Sequence, residues 1–172
     1  MTTTTTTSTT NGTRPSATPD PDRVLAAVRR RSYAVIATTS SRARPHAAGV
    51  VFQLVGTDLW ISTDRSSRKA RNVAANPHVA MSIPVRRVPV GPPAQVHFQA
   101  TAAVVDPDAP DVRALLDGGH LDGVTGHGEL DRPDACFLRV ALPSRLHTYG
   151  LGLSLVALAR HPLDAAGTVQ RP

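Results

Sequence analysis

Short apolar runs follow one another along this chain with only brief polar turns between them, and this pattern limits the folds that it can adopt. Residues 33–38, 45–55 and 59–63 have the character of strands, and a Gly-Thr-Asp turn joins the second to the third as in a hairpin. Three later runs, over residues 78–84, 95–105 and 136–142, have the same character. Neighbouring strands joined by short turns pair antiparallel.

Helical segments are few and short. Apolar spacing predicts helices over residues 22–30, with Asp22 as the N-cap, over 67–75 and over 111–116. Because these helices do not alternate one for one with the strands, the pattern disfavours a doubly wound parallel sheet. It predicts a mainly β (α+β) domain, built as a small antiparallel barrel with helices at its ends.

Three regions of the chain differ in composition. Residues 1–21 contain a threonine run and almost nothing apolar, which predicts a disordered tail. Residues 22–150 form the predicted folded domain, in which 85–93 and 118–132 are loops. Residues 151–172 are expected to form a C-terminal arm, because Leu151, Leu155 and Leu158 have helical spacing.

The charge of the chain is strongly positive. The formal net charge is +6, and nearly all the positive charge is arginine, since Lys69 is the only lysine. A coding bias toward GC-rich codons is one explanation of such a composition. The alternative explanation is a surface suited to anionic ligands. Apart from Arg29-Arg30-Arg31, the arginines are scattered rather than interleaved with aromatic residues, which argues against a nucleic-acid partner.

Several classes of protein are disfavoured. A single cysteine, Cys136, rules out a disulfide within the chain and a cysteine-rich metal site. No apolar run reaches the roughly 18 residues of a membrane span, and no signal-peptide pattern begins the chain, so we expect a cytoplasmic protein. The histidines lack metal-ligand spacing, and His120 and His127 lie in a polar loop that fits a substrate entrance better than a metal site. The sequence contains no Gly-x-Ser-x-Gly motif, so serine hydrolase chemistry is not supported. No catalytic side chain is assigned.

One stretch combines the groups that bind a phosphate. Ser62 and Thr63 end a strand, a polar turn follows, and a helix opens at Ser67 with Arg68 and Lys69 in its first turn. A helix start offers free N–H groups and partial positive charge, and here hydroxyls and cations surround it. The alternative interpretation is a solvated basic helix that caps itself.

The same stretch resembles a known family. Its pattern, Ser-Thr-x-x-Ser-Ser-Arg-Lys-Ala-x-Asn-x-x-x-Asn-Pro-x-Val-Ala, runs from Ser62 to Ala80 and is similar to the core of the pyridoxamine 5'-phosphate oxidase-like family. The resemblance covers about residues 33–105. It implies an FMN-binding split barrel, usually a homodimer with the flavin at the subunit interface. Some members use the deazaflavin coenzyme F-420 instead.

The resemblance also implies roles for particular residues. Ser62 and Thr63 match the strand-end positions that meet the flavin phosphate, and Arg68 and Lys69 match its basic ligands, beside Ser67. The strand segment at residues 49–53 matches the backbone that lines the ring, and Gln95 matches a glutamine near the ring. The ring-side residues are therefore Val50, Val51, Phe52 and Gln95.

The chain departs from the oxidase proper at two points. The oxidase has a basic residue near the end of the ring-side strand, where this chain has Phe52 and Gln53. The C-terminal arginine and histidine motif that grips pyridoxal phosphate is not evident, although Arg145 and His147 are of that type. Vitamin B6 synthesis is therefore not expected.

Two functions remain open at the level of sequence. The leading expectation is an oxidoreductase that uses FMN, or alternatively coenzyme F-420, on a small organic substrate, with the cofactor between the two subunits of a homodimer. The acidic tail of the deazaflavin is a partner for Arg86 and Arg87 of the predicted loop. The alternative is a protein that binds flavin, or with less support heme, without catalysis, as a sensor, carrier or store. A basic nucleic-acid-binding barrel is a third, weaker interpretation.

Overall fold

A computed structural model describes residues 19–85, 94–160 and 165–171 of the chain. The predicted tail covers residues 1–21: residues 1–18 lie outside the described ranges, whereas Asp20 caps the first helix and Pro21 begins it. Most of the predicted loop, including Arg86 and Arg87, also lies outside the described ranges. Within the described ranges, no helix combines the length and the apolar character needed to span a membrane.

The described residues form nine strands, in chain order β1 (Tyr33–Thr39), β2 (Pro45–Val51), β3 (Gln53–Val55), β4 (Asp58–Asp64), β5 (His78–Pro84), β6 (Gln95–Val105), β7 (Ala135–Ala141), β8 (Arg145–Tyr149) and β9 (Ala166–Gln170). They also form five α-helices, α1 (Pro21–Arg29), α2 (Arg68–Ala75), α3 (Pro110–Asp117), α4 (Asp122–Thr125) and α5 (Leu155–Arg160), and a 3-10 turn (Glu129–Asp131).

The strands form one antiparallel sheet that curls into a split barrel. Their order is β2-β1-β5-β6-β7-β4-β3, with β8 paired to β6 and β9 paired to β8. The long strand β6 connects the two halves, because its residues 95–101 pair with β5 and its residues 102–105 pair with β7. Strands β2 and β3 are consecutive in the chain but lie at the two ends of this strand order. The barrel is therefore split between them. The predicted fold class is confirmed.

Alternation along the strands places one apolar face inside the barrel, where α1 closes an end. Ile36, Met81 and Phe98 are among the buried side chains from β1, β5 and β6, and α1 contributes Val24 and Val28. A second apolar cluster lies outside β4 and β7, where Trp60 meets Phe137 edge to face, with ring centroids 5.9 Å apart. Helices α3 and α4 cover this cluster.

The predicted strand over residues 45–55 is wrong in one respect, because it is two strands. Phe52 interrupts it, with its side chain almost fully buried and its N–H donated to the Ser32 carbonyl oxygen at 2.7 Å. The chain passes there from β2, which pairs with β1, to β3, which pairs with β4. A continuous apolar run in the sequence does not show such a change of partner.

The predicted loop over residues 118–132 also contains structure. Leu121 and Val124 are buried against the Trp60 cluster, and they fold α4 into a segment otherwise rich in Gly, Asp and His. The structure also adds β8, which lies before the predicted C-terminal arm, and β9 within it. The observed helix of the arm is α5. At the first helix, Asp20 rather than Asp22 is the N-cap, and its Oδ1 accepts the Asp22 N–H at 3.1 Å.

Cys136 is fully buried in β7, and this burial raises the pKa of its thiol. A thiol that is both inaccessible and held protonated is a poor nucleophile. The residue therefore behaves as an apolar core side chain, as the sequence indicates.

The turn between β1 and β2 contains a backbone conformation that suits glycine. Ala43 has a φ of 55°, a left-handed conformation in which a Cβ is crowded. We expect Ala43→Gly to raise the free energy of unfolding by roughly 0.5 kcal/mol. Urea unfolding followed by tryptophan fluorescence measures this change, and a destabilised variant would show that the turn is not strained.

Candidate functional site

The start of α2 is fixed to the end of β4 by hydroxyl contacts. The Thr63 hydroxyl donates to Ser67 Oγ at 3.2 Å, and the same oxygen accepts the Ala70 N–H at 3.2 Å. Ser67 is therefore the N-cap that the sequence predicts. The N–H groups of Arg68 and Lys69, in the first turn, have no partner inside the helix by geometry, and they give this end a partial positive charge.

The turn that precedes α2 is bound to the segment before β7. Ser66 donates its hydroxyl to Asp134 Oδ2 at 2.5 Å and its N–H to the same oxygen at 3.3 Å. The hydrogen bond from the Ser66 hydroxyl is the main reason that the pKa of Asp134 lies below its ordinary value. Arg132 pairs with Asp64 at 2.7 Å in the same turn. These contacts hold the approach to the helix in one conformation.

One side of α2 is attached to the barrel by a polar contact. Asn72 is buried beside Ala70 and Val73, and its Nδ2 donates to Thr38 Oγ1 at 2.9 Å. The apolar residues Ala70, Val73 and Ala74 predict the buried stripe of this helix, and the prediction is wrong at Ala74, which is exposed while Asn72 is buried. Because Asn72 is on the buried face, its amide orients the helix against β1.

Two cavities are lined by residues from the start of α2. The first, of about 250 Å³, is called the Lys69 cavity and is lined by Gly49, Val50, Val51, Ser62, Lys69, Gly123, Val124, His127 and Glu129. The second, of about 430 Å³, is called the arginine cavity and is lined by Ser40, Arg44, Pro45, His46, Arg68, Arg71 and Asn72. The consecutive residues Arg68 and Lys69 thus line different cavities.

The Lys69 cavity brings together four residues that the sequence predicts for the cofactor. Val50 and Val51 come from β2, Ser62 from β4 and Lys69 from α2, so the cavity lies at the split of the barrel. The Ser62 Oγ is buried and has no hydrogen-bond partner among the described residues. A buried, unpaired hydroxyl beside a cation fits an anionic or polar ligand group that accepts a hydrogen bond.

The far wall of the Lys69 cavity comes from the segment that the sequence treats as a loop. Gln53 Oε1 accepts the Gly123 N–H at 2.8 Å and so attaches α4 to β3. Glu129, the only glutamate of the chain, accepts the His127 N–H at 2.8 Å, and this bond is the main reason that the pKa of Glu129 is lowered. The only lysine and the only glutamate therefore line one cavity.

The other predicted site residues lie elsewhere. Phe52 is a core side chain and does not line either cavity, and Thr63 and Ser67 are bonded to each other. Gln95 lines a separate cavity of about 760 Å³, called the histidine cavity, together with His97, Arg145 and His147. Its Oε1 accepts the Ser82 hydroxyl at 3.2 Å. Sequence reasoning missed Arg44 and Glu129, because no local motif connects their segments to the start of α2.

In the histidine cavity, two imidazole rings lie side by side. His97 and His147 are register partners on β6 and β8, and their ring centroids are 5.4 Å apart at an interplanar angle of 23°. The side chain of His97 is exposed, and its partial desolvation, followed by the neighbouring His147, lowers the pKa of His97 below its ordinary 6.5. Below the ordinary pKa of histidine, the unfolded chain therefore binds more protons at this residue than the folded protein does. The free energy of unfolding then decreases as the pH falls through the pKa that His97 has in the folded protein.

The chain matches the family model described as pyridoxamine 5'-phosphate oxidase over residues 20–135. Among solved structures it resembles HutZ, the heme storage protein from Vibrio cholerae, with a TM-score of 0.65, 19% identity, and coverage of 77% of this chain and 96% of that chain. It also resembles a pyridoxamine 5'-phosphate oxidase-related, FMN binding protein from Nostoc punctiforme PCC 73102, with a TM-score of 0.53, 16% identity, and coverage of 75% and 82%. An F420 reductase has a TM-score of 0.53 and 23% identity, with coverage of 70% and 93%.

The fold and the match over most of the folded residues define the class of this protein. It is a split barrel of the kind seen in these structures. More narrowly, the chain belongs to the pyridoxamine 5'-phosphate oxidase family, as the motif from Ser62 to Ala80 indicates. No curated protein matches it significantly.

The unpaired hydroxyl of Ser62 leads to a stability prediction. Ser62→Ala removes a buried donor without a partner, so we expect the free energy of unfolding to stay the same or rise by up to about 1 kcal/mol. The matched variant Thr63→Val breaks the bond to Ser67 and should lower it by about 1 kcal/mol. Urea unfolding of both variants measures the contrast, and equal losses in the two would contradict it.

The paired imidazoles lead to a titration prediction. In His147→Gln one positive neighbour is removed, so the pKa of His97 should rise toward its ordinary value while burial still holds it lower. NMR titration of the His97 ring protons measures the shift. An unchanged pKa would mean that burial alone sets the value.

Proposed function

We propose that this protein is an oxidoreductase that uses a flavin-type cofactor, FMN or the deazaflavin coenzyme F-420, on a small organic substrate. In this proposal the start of α2, Ser67-Arg68-Lys69, holds the cofactor phosphate. The observation that carries this proposal is the set of cations and the unpaired hydroxyl around one helix start. The buried Ser62 Oγ and Lys69 line the Lys69 cavity, and Arg68 lines the arginine cavity. Such a set fits an anion and has no evident structural role.

The surroundings of the helix start support the placement of the ring along β2. This strand pairs only with β1 among the described strands, so the backbone groups on its other edge have no strand partner. Gly49 lies on this strand beneath Tyr33, whose hydroxyl oxygen would be 2.7 Å from an added Cβ. A flat ring edge with hydrogen-bonding atoms is a suitable partner for such an exposed backbone edge.

The flavin-type cofactor, when bound, supplies the hydride or electron chemistry, and the protein supplies position and electrostatics. Ser62 and Lys69 would orient the polar side of the cofactor, and α4 with Glu129 would limit the access of water to it. No side chain is assigned to acid or base chemistry. The substrate proposal stays at the level of a small organic molecule.

The separation of Gln95 from the Lys69 cavity supports a homodimer. Within one chain, Gln95 lines the histidine cavity with His97, whereas Val51 and Lys69 line the other. If both groups contact one cofactor, the second group belongs to a second copy of the chain. We therefore propose a homodimer with the cofactor at the interface. A cytoplasmic location is proposed with it, since a single buried thiol suits a reducing compartment.

A second candidate function is the binding of heme without catalysis, as a store, carrier or sensor. It is favoured by the exposed, stacked pair of His97 and His147, because imidazole is a common axial ligand of heme iron. HutZ, which shares this fold, is a heme storage protein. Absorbance distinguishes the two functions: a Soret band that is lost in His97→Gln or His147→Gln would support heme binding.

Lys69 provides a direct test of the phosphate role. We expect Lys69→Gln to weaken FMN binding about tenfold, because a charge-assisted hydrogen bond is lost. Fluorescence titration with FMN, and separately with coenzyme F-420, measures both affinities. Arg23→Gln is the matched control, since it removes one exposed positive charge from α1, and its affinity should stay at the wild-type value. Equal affinities of Lys69→Gln and wild type would remove Lys69 from the site.

A further inference from the structure

The Lys69 cavity contains two opposite charges that do not pair with each other. Lys69 comes from α2 and Glu129 from the 3-10 turn, and both line the cavity. Among the described residues, Lys69 forms no ion pair, and Glu129 has such a contact only with the ring of His127. A ligand group that enters this cavity therefore meets a cation and a carboxylate together.

The carboxylate of Glu129 is held at the cavity by its own turn. Gly128, which precedes the 3-10 turn, has a left-handed φ of 82°, and Leu130 packs against the Trp60 cluster. Between these two residues, Glu129 Oε2 accepts the His127 N–H at 2.8 Å. The position of the side chain is thus fixed by a backbone hydrogen bond and by the packing of its neighbour, without the help of a cation.

The cavity has almost no net charge when Glu129 is ionised. The hydrogen bond from the His127 N–H stabilises the charged carboxylate, so the pKa of Glu129 lies below its ordinary value. The other titratable groups that line the cavity are Lys69 and His127. The His127 side chain is 90% exposed and adds a charge only when its ring is protonated. Otherwise the charges of Lys69 and Glu129 cancel in sum.

This charge balance discriminates between two kinds of phosphate. A phosphate monoester such as FMN carries close to two negative charges at neutral pH, because its second pKa is about 6. The phosphate of coenzyme F-420 is a diester with a single negative charge. Repulsion from Glu129 grows with the charge of the ligand, and the loss of water costs a dianion more than a monoanion. The second charge of a monoester therefore gains little from Lys69 in this cavity.

We propose that Glu129 is a specificity-determining residue, which makes the Lys69 cavity favour the singly charged phosphodiester of coenzyme F-420 over the dianionic phosphate of FMN. The proposal rests on the proposed function, in which Lys69 contacts the cofactor phosphate, and it narrows the choice of cofactor. Lys69 supplies the attraction for either phosphate, and Glu129 opposes the second charge. Arg68 lines the other cavity and so does not pair with Glu129.

Three flavin-type ligands test the role of Glu129. Affinities for FMN, coenzyme F-420 and riboflavin, which has no phosphate, are measured by fluorescence titration in the wild type and in Glu129→Gln. The glutamine oxygen can still accept the His127 N–H, so the variant removes the charge and keeps the turn. We expect FMN binding to tighten about tenfold, F-420 binding about threefold and riboflavin binding less than twofold, in the order of their phosphate charges.

The matched control for this titration is Asp117→Asn. Asp117 is exposed at the end of α3 and does not line the cavity, so its loss removes a negative charge elsewhere on the protein. We expect all three affinities of this variant to stay at the wild-type values. An FMN to F-420 affinity ratio that is unchanged in Glu129→Gln, or changed equally in Asp117→Asn, would overturn the proposal while the flavin function stands.

Small phosphate esters test the cavity without a flavin. Methyl phosphate, a monoester, and dimethyl phosphate, a diester, are titrated into the flavin-free protein and followed by the NMR shifts of the Gly49 and Gly123 N–H groups. We expect the wild type to favour the diester, and Glu129→Gln to shift the ratio of the two affinities at least threefold toward the monoester. That shift without any flavin binding would support the role of Glu129 while the proposed function fails. Equal ratios in the two proteins, or no saturable shift in either, would overturn the proposal.

Discussion

The hydroxyl contacts between Thr63, Ser67 and the Ala70 N–H are the interactions on which the site depends. They end β4 and begin α2 within four residues, so the helix start is held beside the split of the barrel. The Asn72 to Thr38 hydrogen bond then sets the rotation of the helix. With the helix start and its rotation fixed in this way, Arg68 and Lys69 line two different cavities.

The two cavities differ in charge as well as in volume. The Lys69 cavity contains one lysine, one carboxylate and a buried hydroxyl that has no hydrogen-bond partner among the described residues. The arginine cavity contains three arginines and a histidine with no acid among its lining residues. The strand β2 borders both cavities.

The sequence was sufficient to predict the barrel. Strands with clear alternation, such as β5 and β6, have the predicted bounds, because their burial pattern is encoded residue by residue. Phe52 and the segment around Leu121 were not predictable, since a change of strand partner and a four-residue helix depend on tertiary packing. Arg44 was missed for the same reason, because only the folded turn brings it beside Arg68 and Arg71. Gln53 stands where a basic residue was expected, and its contact with the Gly123 N–H gives it a structural role.

The central claim is that this split barrel binds a phosphorylated flavin-type cofactor. The most direct measurement is the absorbance spectrum of the purified protein after separate incubation with FMN, coenzyme F-420 and heme, with unbound ligand removed by gel filtration. The account predicts that FMN or F-420 is retained at close to one molecule per chain. Retention of heme alone, or of none of the three, would contradict it.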